Sequence, residues 1–156
     1  MQPGITTEEI DAQVHDLIVK KGAYPSPLGY KGFPRSICTS VNDVAVHGIP
    51  DDVKLQEGDV ISIDVTVYLN GYHGDTAATY IVGKPTSERA KELVVAAYKC
   101  REAGILACGP GKPFKDIGAA IEYVFCHSYL FNAFPNHPAP LPRLATLNVQ
   151  RHGRTI

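Results

Sequence analysis

The stretch that decides the fold is EGDVISIDVTVYLNGYHGDT, residues 57–76. Apolar side chains recur at every second position from Ile61 to Leu69, which is the period of a strand with one buried face. Asn70-Gly71 follows directly, and this pair is the strongest short signal for a two-residue hairpin turn. We therefore predict a strand over residues 59–69 and an antiparallel partner that returns from Tyr72.

The same turn predicts how the two strands pair. With a two-residue turn, Thr66 faces Asp75 and Asp64 faces Ala77, so the two aspartates lie on one face of the sheet as diagonal neighbours. Their Cα atoms are then about 7–8 Å apart. Two carboxylates at this spacing repel each other unless a cation lies between them, and carboxylates are ligands that divalent ions accept.

A second interpretation of this pair needs no metal. Asp64 and Asp75 would then be solvent-facing residues of an open hairpin, each salt-bridged or hydrated, and the pattern alone does not decide between the two. His73 lies beside Asp75 in the sequence. We expect its side chain on the opposite face of the strand, and on that ground we exclude it as a ligand.

The first forty residues predict a helix and a loop. Thr6 and Glu9 form a capping-box signature ahead of apolar residues at helical spacing, so we expect a helix over residues 7–21. Residues 23–36 hold three prolines and two glycines among aromatic residues. Such a segment is typical of an ordered loop rather than of a regular element.

Further elements complete an α+β pattern. We expect residues 37–40 and 44–48 to pair as another hairpin, although the turn signal between them is weaker than Asn-Gly. Apolar residues at helical spacing predict helices over residues 87–107 and 114–124. A helix, hairpins and then two helices indicate the α+β class rather than a parallel βαβ array.

Composition bounds the class of protein. The 156 residues suit one domain, and a formal net charge of −1 gives no basic field for nucleic acid. No apolar run approaches the length of a membrane span. Four cysteines without a C-x-x-C pair, and no secretory signal, indicate reduced thiols. We expect a cytoplasmic protein, with an organellar location left open because the N-terminus looks incomplete.

The composition changes sharply after Glu122. Residues 123–156 contain no Asp, Glu or Lys, and their prolines interrupt regular elements. We therefore divide the chain into a domain over residues 3–122 and a divergent, poorly ordered tail over residues 123–156.

Three motifs together resemble type I methionine aminopeptidases. They are CTSVNDVAVHGIP at residues 38–50, the stretch at 57–76, and GKP at 83–85 followed by a helix and PFKDIGAAI at 113–121. The matching segments keep the family's order from about Pro3 to Glu122, which is the first half of the family's catalytic domain. The resemblance implies half of a pita-bread fold, an antiparallel sheet with helices on one face. It also implies a hydrolase that removes N-terminal methionine from peptides and nascent proteins.

The resemblance assigns the chemistry to three residues. Asp64 and Asp75 fall on the family's two metal-ligand aspartates, and His47 falls on the histidine that contacts the substrate and assists proton transfer. The intact family uses two divalent metal ions, Co, Mn, Fe or Zn. Without the resemblance, a histidine beside a Gly-Ile-Pro turn would be an ordinary surface residue.

The resemblance also implies a pocket for the methionine side chain. Tyr30, Phe33 and Cys38 fall on the positions that line it, with Phe33 in place of the more common tyrosine. Pro27 stands where some relatives have a cysteine. With these changes the pocket still suits a small apolar side chain as ligand. Without the resemblance, the two aromatic residues would be interpreted as packing anchors and Cys38 would be interpreted as a small buried apolar residue.

Part of the implied site is missing from the sequence. The family's other metal ligands are a histidine in a GHGIG-type motif and two glutamates, yet no Asp or Glu follows Glu122. His137 lies near the expected number but not in that motif. We therefore expect at most one weakly bound ion and little or no peptidase activity from this chain alone. We also expect a truncated form, explained by a frameshift, an alternative exon or a mispredicted gene end.

Two alternatives remain beside the aminopeptidase. One is a metal-free pita-bread module that binds ribosomes, RNA or proteins, and the other is a non-functional truncated product. For the aminopeptidase we expect as partner a peptide or nascent-chain N-terminus with Met first, with the ribosome as a candidate partner. Neither a membrane nor a specific nucleic acid is indicated.

Overall fold

The computed structural model describes residues 1–127, which contain three α-helices and one antiparallel sheet, as the α+β prediction requires. In chain order the elements are helix α1 (Thr7–Lys20), strand β1 (Tyr24–Pro25), a 3₁₀ turn (Tyr30–Gly32), strands β2 (Cys38–Val41), β3 (Val60–Leu69) and β4 (Tyr72–Ile81), and helices α2 (Glu88–Ala107) and α3 (Lys115–Phe125). Residues 1–91 form one compact unit, and a second begins at Glu92.

The β3–β4 hairpin has the register that the sequence predicts. Asn70 and Gly71 both adopt positive φ, 52° and 92°, which is the conformation of a type I′ turn. Thr66 pairs with Asp75, and Asp64 pairs with Ala77. The turn therefore sets which residues of the two strands share a face.

Strands β1 and β2 lie end to end along the other edge of β3. Tyr24 of β1 pairs with Tyr68 near one end of β3, and Cys38 of β2 pairs with Asp64 nearer the middle. Strand β3 is therefore central, and β2 brings a thiol opposite one of the two aspartates.

The predicted hairpin between residues 37–40 and 44–48 is wrong. Strand β2 pairs with β3, and residues 44–48 form no strand. Asn42 explains the difference: at φ 53° it turns the chain, and its side chain accepts a hydrogen bond from Val60 N and donates one to Asp59. These contacts join the end of β2 to the start of β3 instead of closing a local hairpin.

One face of the sheet packs on α1 and forms the core of the first unit. Ile61 is fully buried there, as the alternation in β3 predicts, and so is Val82, which directly follows β4. The core members are Ile10, Ile37, Leu55, Ile61 and Val82, with Ile5, Val14, Val41, Ile63 and Val65 packed against them. Because side chains alternate along a strand, the opposite face of β3 carries the polar residues, including Asp64.

Helix α1 begins as predicted and fixes the entry to β2. Thr6 and Glu9 form the complete capping box. The buried carboxylate of Asp11 accepts hydrogen bonds from the backbone N–H groups of Ser36 and Ile37, at 2.8 and 3.0 Å. This anchors the chain directly before Cys38.

The second unit contains most of α2 and all of α3. A Cβ on Gly104 would lie 3.0 Å from the Ile121 side chain, so a glycine allows α2 and α3 to approach closely. Helix α3 continues to Phe125, and the change in composition after Glu122 therefore falls inside a helix. The proposed tail lies outside the described residues from position 128 onward. No helix within residues 1–127 is long and apolar enough to cross a membrane.

Candidate metal centre

The structure brings Asp64 and Asp75 together on the polar face of the β3–β4 hairpin, which we call the carboxylate face. Thr66, which lies between them on β3, donates a hydrogen bond from Oγ1 to Asp75 Oδ1 at 2.9 Å. The Thr66 hydroxyl thereby limits the orientations of the Asp75 carboxylate. One oxygen of an otherwise exposed carboxylate is held in place before any ligand binds.

Asp64 has an unsatisfied oxygen. Its Oδ1 atom is buried and has no hydrogen-bond partner within residues 1–127, a condition that costs about 1–3 kcal/mol for a polar group. Burial, and next the negative charge of Asp75, raise the pKa of Asp64, while nearby His47 acts in the opposite direction. A divalent cation between the two carboxylates would satisfy the oxygen and cancel the repulsion, so these residues fit a metal ion.

Cys38 lies on the carboxylate face directly across from Asp64. Its side chain is 8% exposed, and its pKa is raised by burial, then by Asp64 and Asp75. The thiol therefore stays protonated at neutral pH, and it contributes a small apolar surface rather than a nucleophile.

His47 is held near Asp64 by an unusual local conformation. It adopts φ 56°, which is uncommon for a residue other than glycine. The next residue, Gly48, packs so closely on Thr39 of β2 that any Cβ there would clash with the Thr39 carbonyl. Gly48 N also donates a hydrogen bond to Ser40 Oγ. This packing keeps the exposed His47 side chain within electrostatic range of Asp64.

Tyr30 and Phe33 lie on the loop between β1 and β2. Tyr30 is 65% exposed, and its backbone closes a tight turn through hydrogen bonds that link Tyr30, Gly29 and Phe33. The loop starts at Ser26, whose backbone N–H donates to the Thr66 carbonyl at 2.9 Å. The loop that carries the two aromatic residues is thus hydrogen-bonded to β3 at its start. The role of these residues in a pocket for the methionine side chain stays a prediction.

The prediction that His73 faces away from Asp75 is wrong. Residues two apart in a strand point to the same face, and the structure agrees. The His73 ring lies 5.0 Å from that of Tyr68, its cross-strand partner, and Nδ1 is 2.9 Å from Ser26 Oγ. Ser26 was not among the predicted site residues, because a contact across 47 residues leaves no local pattern.

Within residues 1–127, no three His, Cys, Asp or Glu side chains are grouped closely enough to hold a metal ion. The two aspartates by themselves therefore fit only part of a ligand set. A carboxylate pair of this kind can bind a hard or borderline divalent ion, with water filling the remaining positions.

Comparison with known proteins defines the class. The model of metallopeptidase family M24 matches residues 1–139, and the chain belongs to this family. The match extends past Glu122, where the motif resemblance ends. Divalent metal ions are the cofactors that the family implies.

Within that family, methionine aminopeptidases are among the similar proteins. Methionine aminopeptidase 1D, chloroplastic/mitochondrial, of Arabidopsis thaliana is 56% identical over 122 residues, 78% of this chain and 35% of that protein. Methionine aminopeptidase 1D, mitochondrial, of Homo sapiens is 55% identical over 132 residues, 85% of this chain and 39% of the relative. The chain thus spans less than two fifths of the length of both relatives.

A solved structure shows the same fold. The methionine aminopeptidase from Rickettsia prowazekii aligns with a TM-score of 0.77 and 44% identity, and covers 79% of this chain and 49% of its own. The antiparallel sheet and its helices are therefore part of a pita-bread fold, of which this chain covers about half.

Proposed function

We propose that this chain provides part of a metal-dependent methionine aminopeptidase, with Asp64 and Asp75 as metal ligands. The observation that carries the proposal is the buried, unpartnered Oδ1 of Asp64 on the same sheet face as Asp75, in a member of a metallopeptidase family. When bound, divalent ions would supply Lewis-acid activation of the peptide carbonyl and of water.

The chain's own residues have separable roles in this proposal. The two aspartates hold the cation, and Thr66 orients the Asp75 carboxylate through its hydroxyl. His47 lies near Asp64, where its imidazole can contact the substrate and accept or return a proton. The proximity of His47 to Asp64 supports this role, which we propose on the family's pattern.

We propose that Tyr30, Phe33 and Cys38 line the pocket for the methionine side chain. Cys38 is buried on the carboxylate face, and its protonated thiol suits an apolar ligand. The substrate would be a peptide or nascent chain with Met first, and the ribosome is the partner that a nascent-chain substrate implies.

For the 156-residue chain alone we propose little or no hydrolysis and at most one weakly bound ion. No Asp or Glu follows Glu122 to add carboxylate ligands, and two carboxylates alone do not position two metals. Neither a metal-free binding module nor a non-functional product has an observation of its own in favour, since both aspartates and His47 are present.

The test is Mn²⁺ binding and hydrolysis of a Met-Ala-Ser peptide. We expect saturable Mn²⁺ binding that Asp64→Asn and Asp75→Asn both abolish, while Asp16→Asn, an exposed residue of α1, leaves it unchanged. Mn²⁺ affinity that neither variant lowers would overturn the metal assignment. Peptide turnover by the isolated chain would overturn the proposed inactivity.

We also propose an organellar location. The two relatives described above are named as mitochondrial or chloroplastic proteins, which supports an organelle over the cytoplasm expected from the sequence. Fractionation of source cells, with detection by an antibody to residues 1–127, tests this, and a signal confined to the cytosolic fraction would contradict it.

A further inference from the structure

Strand β4 has one edge paired with β3 and one open edge. The two-residue turn directs the backbone N–H and C=O groups of Tyr72, and of every second residue after it, toward β3. Val82 keeps this pattern, because its N–H donates to the Asp59 carbonyl at 2.8 Å. The backbone groups of the intervening residues therefore point away from β3. In the part of the chain that the structure describes, no other backbone group bonds to these outward residues, which are His73, Asp75, Ala77, Thr79 and Ile81.

This edge carries none of the residues that usually block pairing. Edge strands of soluble proteins are commonly protected by proline, lysine or a bulge. Residues 72–81 contain no proline and no lysine, Asp75 is the only Asp, Glu, Lys or Arg among them, and their register with β3 has no bulge. Tyr72 is 80% exposed and Tyr80 47%. The described part of the chain thus leaves the edge accessible to another strand.

A second copy of β4 fits the open edge in an antiparallel arrangement. Because only the outward residues can bond across this edge, both members of each hydrogen-bonded pair come from that set, and a two-fold axis passes at one residue. An axis at Ala77 pairs Asp75 with Thr79 and His73 with Ile81. Every outward N–H and C=O group is then used, which gives about ten hydrogen bonds, the number found in a typical protein–protein interface.

The charges and the ends of the strand favour the axis at Ala77 over its neighbours. An axis at Thr76 would make the Asp75 side chains of the two copies diagonal neighbours, with Cα atoms about 7–8 Å apart. The axis at Ala77 separates them by four residues along the strand, roughly 13 Å. An axis at Ala78 would need Gly83 for its last pair, and the Gly83 N–H already donates to the Met1 carbonyl.

The same register matches large and small side chains. Tyr80 of one copy lies directly opposite Gly74 of the other, and a Cβ on Gly74 would have only Val67 within 4 Å. An aromatic ring that covers a glycine on the neighbouring strand stabilises such a pair. Between these pairs, Thr76 lies opposite Ala78, and both side chains are small. No steric conflict therefore opposes the pairing.

We propose that this chain associates with a second copy of itself by antiparallel pairing of residues 73–81 about an axis at Ala77. Paired residues stay on the same face of the sheet, so the carboxylate faces of both copies lie on one side of a continuous sheet. The inference goes beyond the proposed function and does not depend on a bound ion.

The experiment uses the full chain in EDTA. Sedimentation equilibrium gives the dimer Kd, and NMR measures hydrogen exchange of single amides at concentrations above and below it. We expect the five outward amides to exchange about tenfold or more faster after dilution to the monomer, because they lose their acceptors. The amides of residues 74, 76, 78 and 80, which bond to β3, should stay protected at both concentrations.

Ala77→Pro is the informative variant. Because the Ala77 N–H points away from β3, proline removes only a donor to the second copy. This loss occurs twice in the dimer, so Kd should rise about tenfold or more. The matched control Ala77→Ser keeps the N–H and a small side chain, and it should dimerise as the wild type does. Circular dichroism checks the fold of both variants.

The exchange measurement on the wild type depends on no variant. A chain that is monomeric at the highest concentration used, or a dimer whose outward β4 amides are unprotected, overturns the inference. Protection of these amides that dilution leaves unchanged also overturns it, since the edge would then be covered within one chain. A folded Ala77→Pro variant with the wild-type Kd contradicts pairing at this residue.

Discussion

Thr66 donates a hydrogen bond to Asp75 across the β3–β4 pair, 2.9 Å from Oγ1 to Oδ1. The hydroxyl and the carboxylate face each other because the Asn70-Gly71 turn places them opposite in the register. A hairpin turn four residues away therefore decides how a candidate metal ligand is oriented. The contact exists without any ion, and it can be tested separately from the ligands themselves.

Replacing Thr66 by Val should weaken metal binding without unfolding the hairpin. The substitution keeps the β-branched shape but removes the hydroxyl that orients Asp75, so we expect the Kd for Mn²⁺ to rise about tenfold, as for other partners of metal ligands. The matched control is Ser62→Ala, because Ser62 makes a similar hydroxyl contact, to Thr79, on the same two strands at 2.8 Å. Equal Kd values for the two variants would contradict this role of Thr66.

Asp64→Asn should stabilise the metal-free protein at neutral pH. Because burial and Asp75 raise the pKa of Asp64 above its ordinary value of 3.8, the folded state holds this proton more tightly than the unfolded state does. Stability is then lost as pH rises from 3.8 through the raised pKa. Since solvent screens part of the effect, we expect a gain of about 0.5–1 kcal/mol at pH 7.

Thermal melts of both proteins in EDTA between pH 3 and pH 8 measure this difference. The gain in stability of Asp64→Asn should vanish at the acidic end of this range, where wild-type Asp64 is protonated. In saturating Mn²⁺ the wild type should be the more stable protein, because the ion stabilises only a protein that binds it. A variant less stable than the wild type at pH 7 without metal would show that Asp64 makes a stabilising contact.

Gly48→Ala should disrupt the packing that positions His47. A Cβ at this position would collide with the Thr39 carbonyl of β2. The backbone has to move to relieve this collision. We expect a loss of about 1–3 kcal/mol in the free energy of unfolding, measured by urea denaturation. Gly118→Ala is the control, because its Cβ would meet nothing within 4 Å and alanine favours the helix in which it lies.

Asp11→Ala should destabilise the start of β2. The change leaves the buried N–H groups of Ser36 and Ile37 without their acceptor, which costs about 1–3 kcal/mol for each group. Asp16→Ala, at an exposed position of the same helix, should change stability little. Hydrogen exchange at the amides of residues 36 and 37 is the local measurement, and unchanged protection there would exclude the proposed anchoring role.

Much of the first unit was predictable because its signals are local. The capping box of Thr6 and Glu9 and the period-two pattern of β3 each involve residues that are close in the chain, and the structure has both elements as predicted. The hairpin proposed around Asn42 failed because the preferred partner of β2 is β3. The pairing of β2 with β3 is favoured by contacts between distant residues, such as the hydrogen bond between Asn42 and Asp59, which are 17 residues apart. No local sequence pattern reveals such contacts.

The sequence by itself determined that Asp64 and Asp75 share a face, because an Asn-Gly turn and strict alternation set register through backbone geometry alone. It equally required His73 to share that face, a consequence of the same alternation that our prediction missed. Only the tertiary structure decided that Asp64 Oδ1 is buried without a partner, that Cys38 lies across from Asp64, and that Ser26 orients the His73 ring. Burial and contacts between distant segments depend on how strands β1 to β4 assemble, and that assembly follows from the packing of the whole sheet on α1.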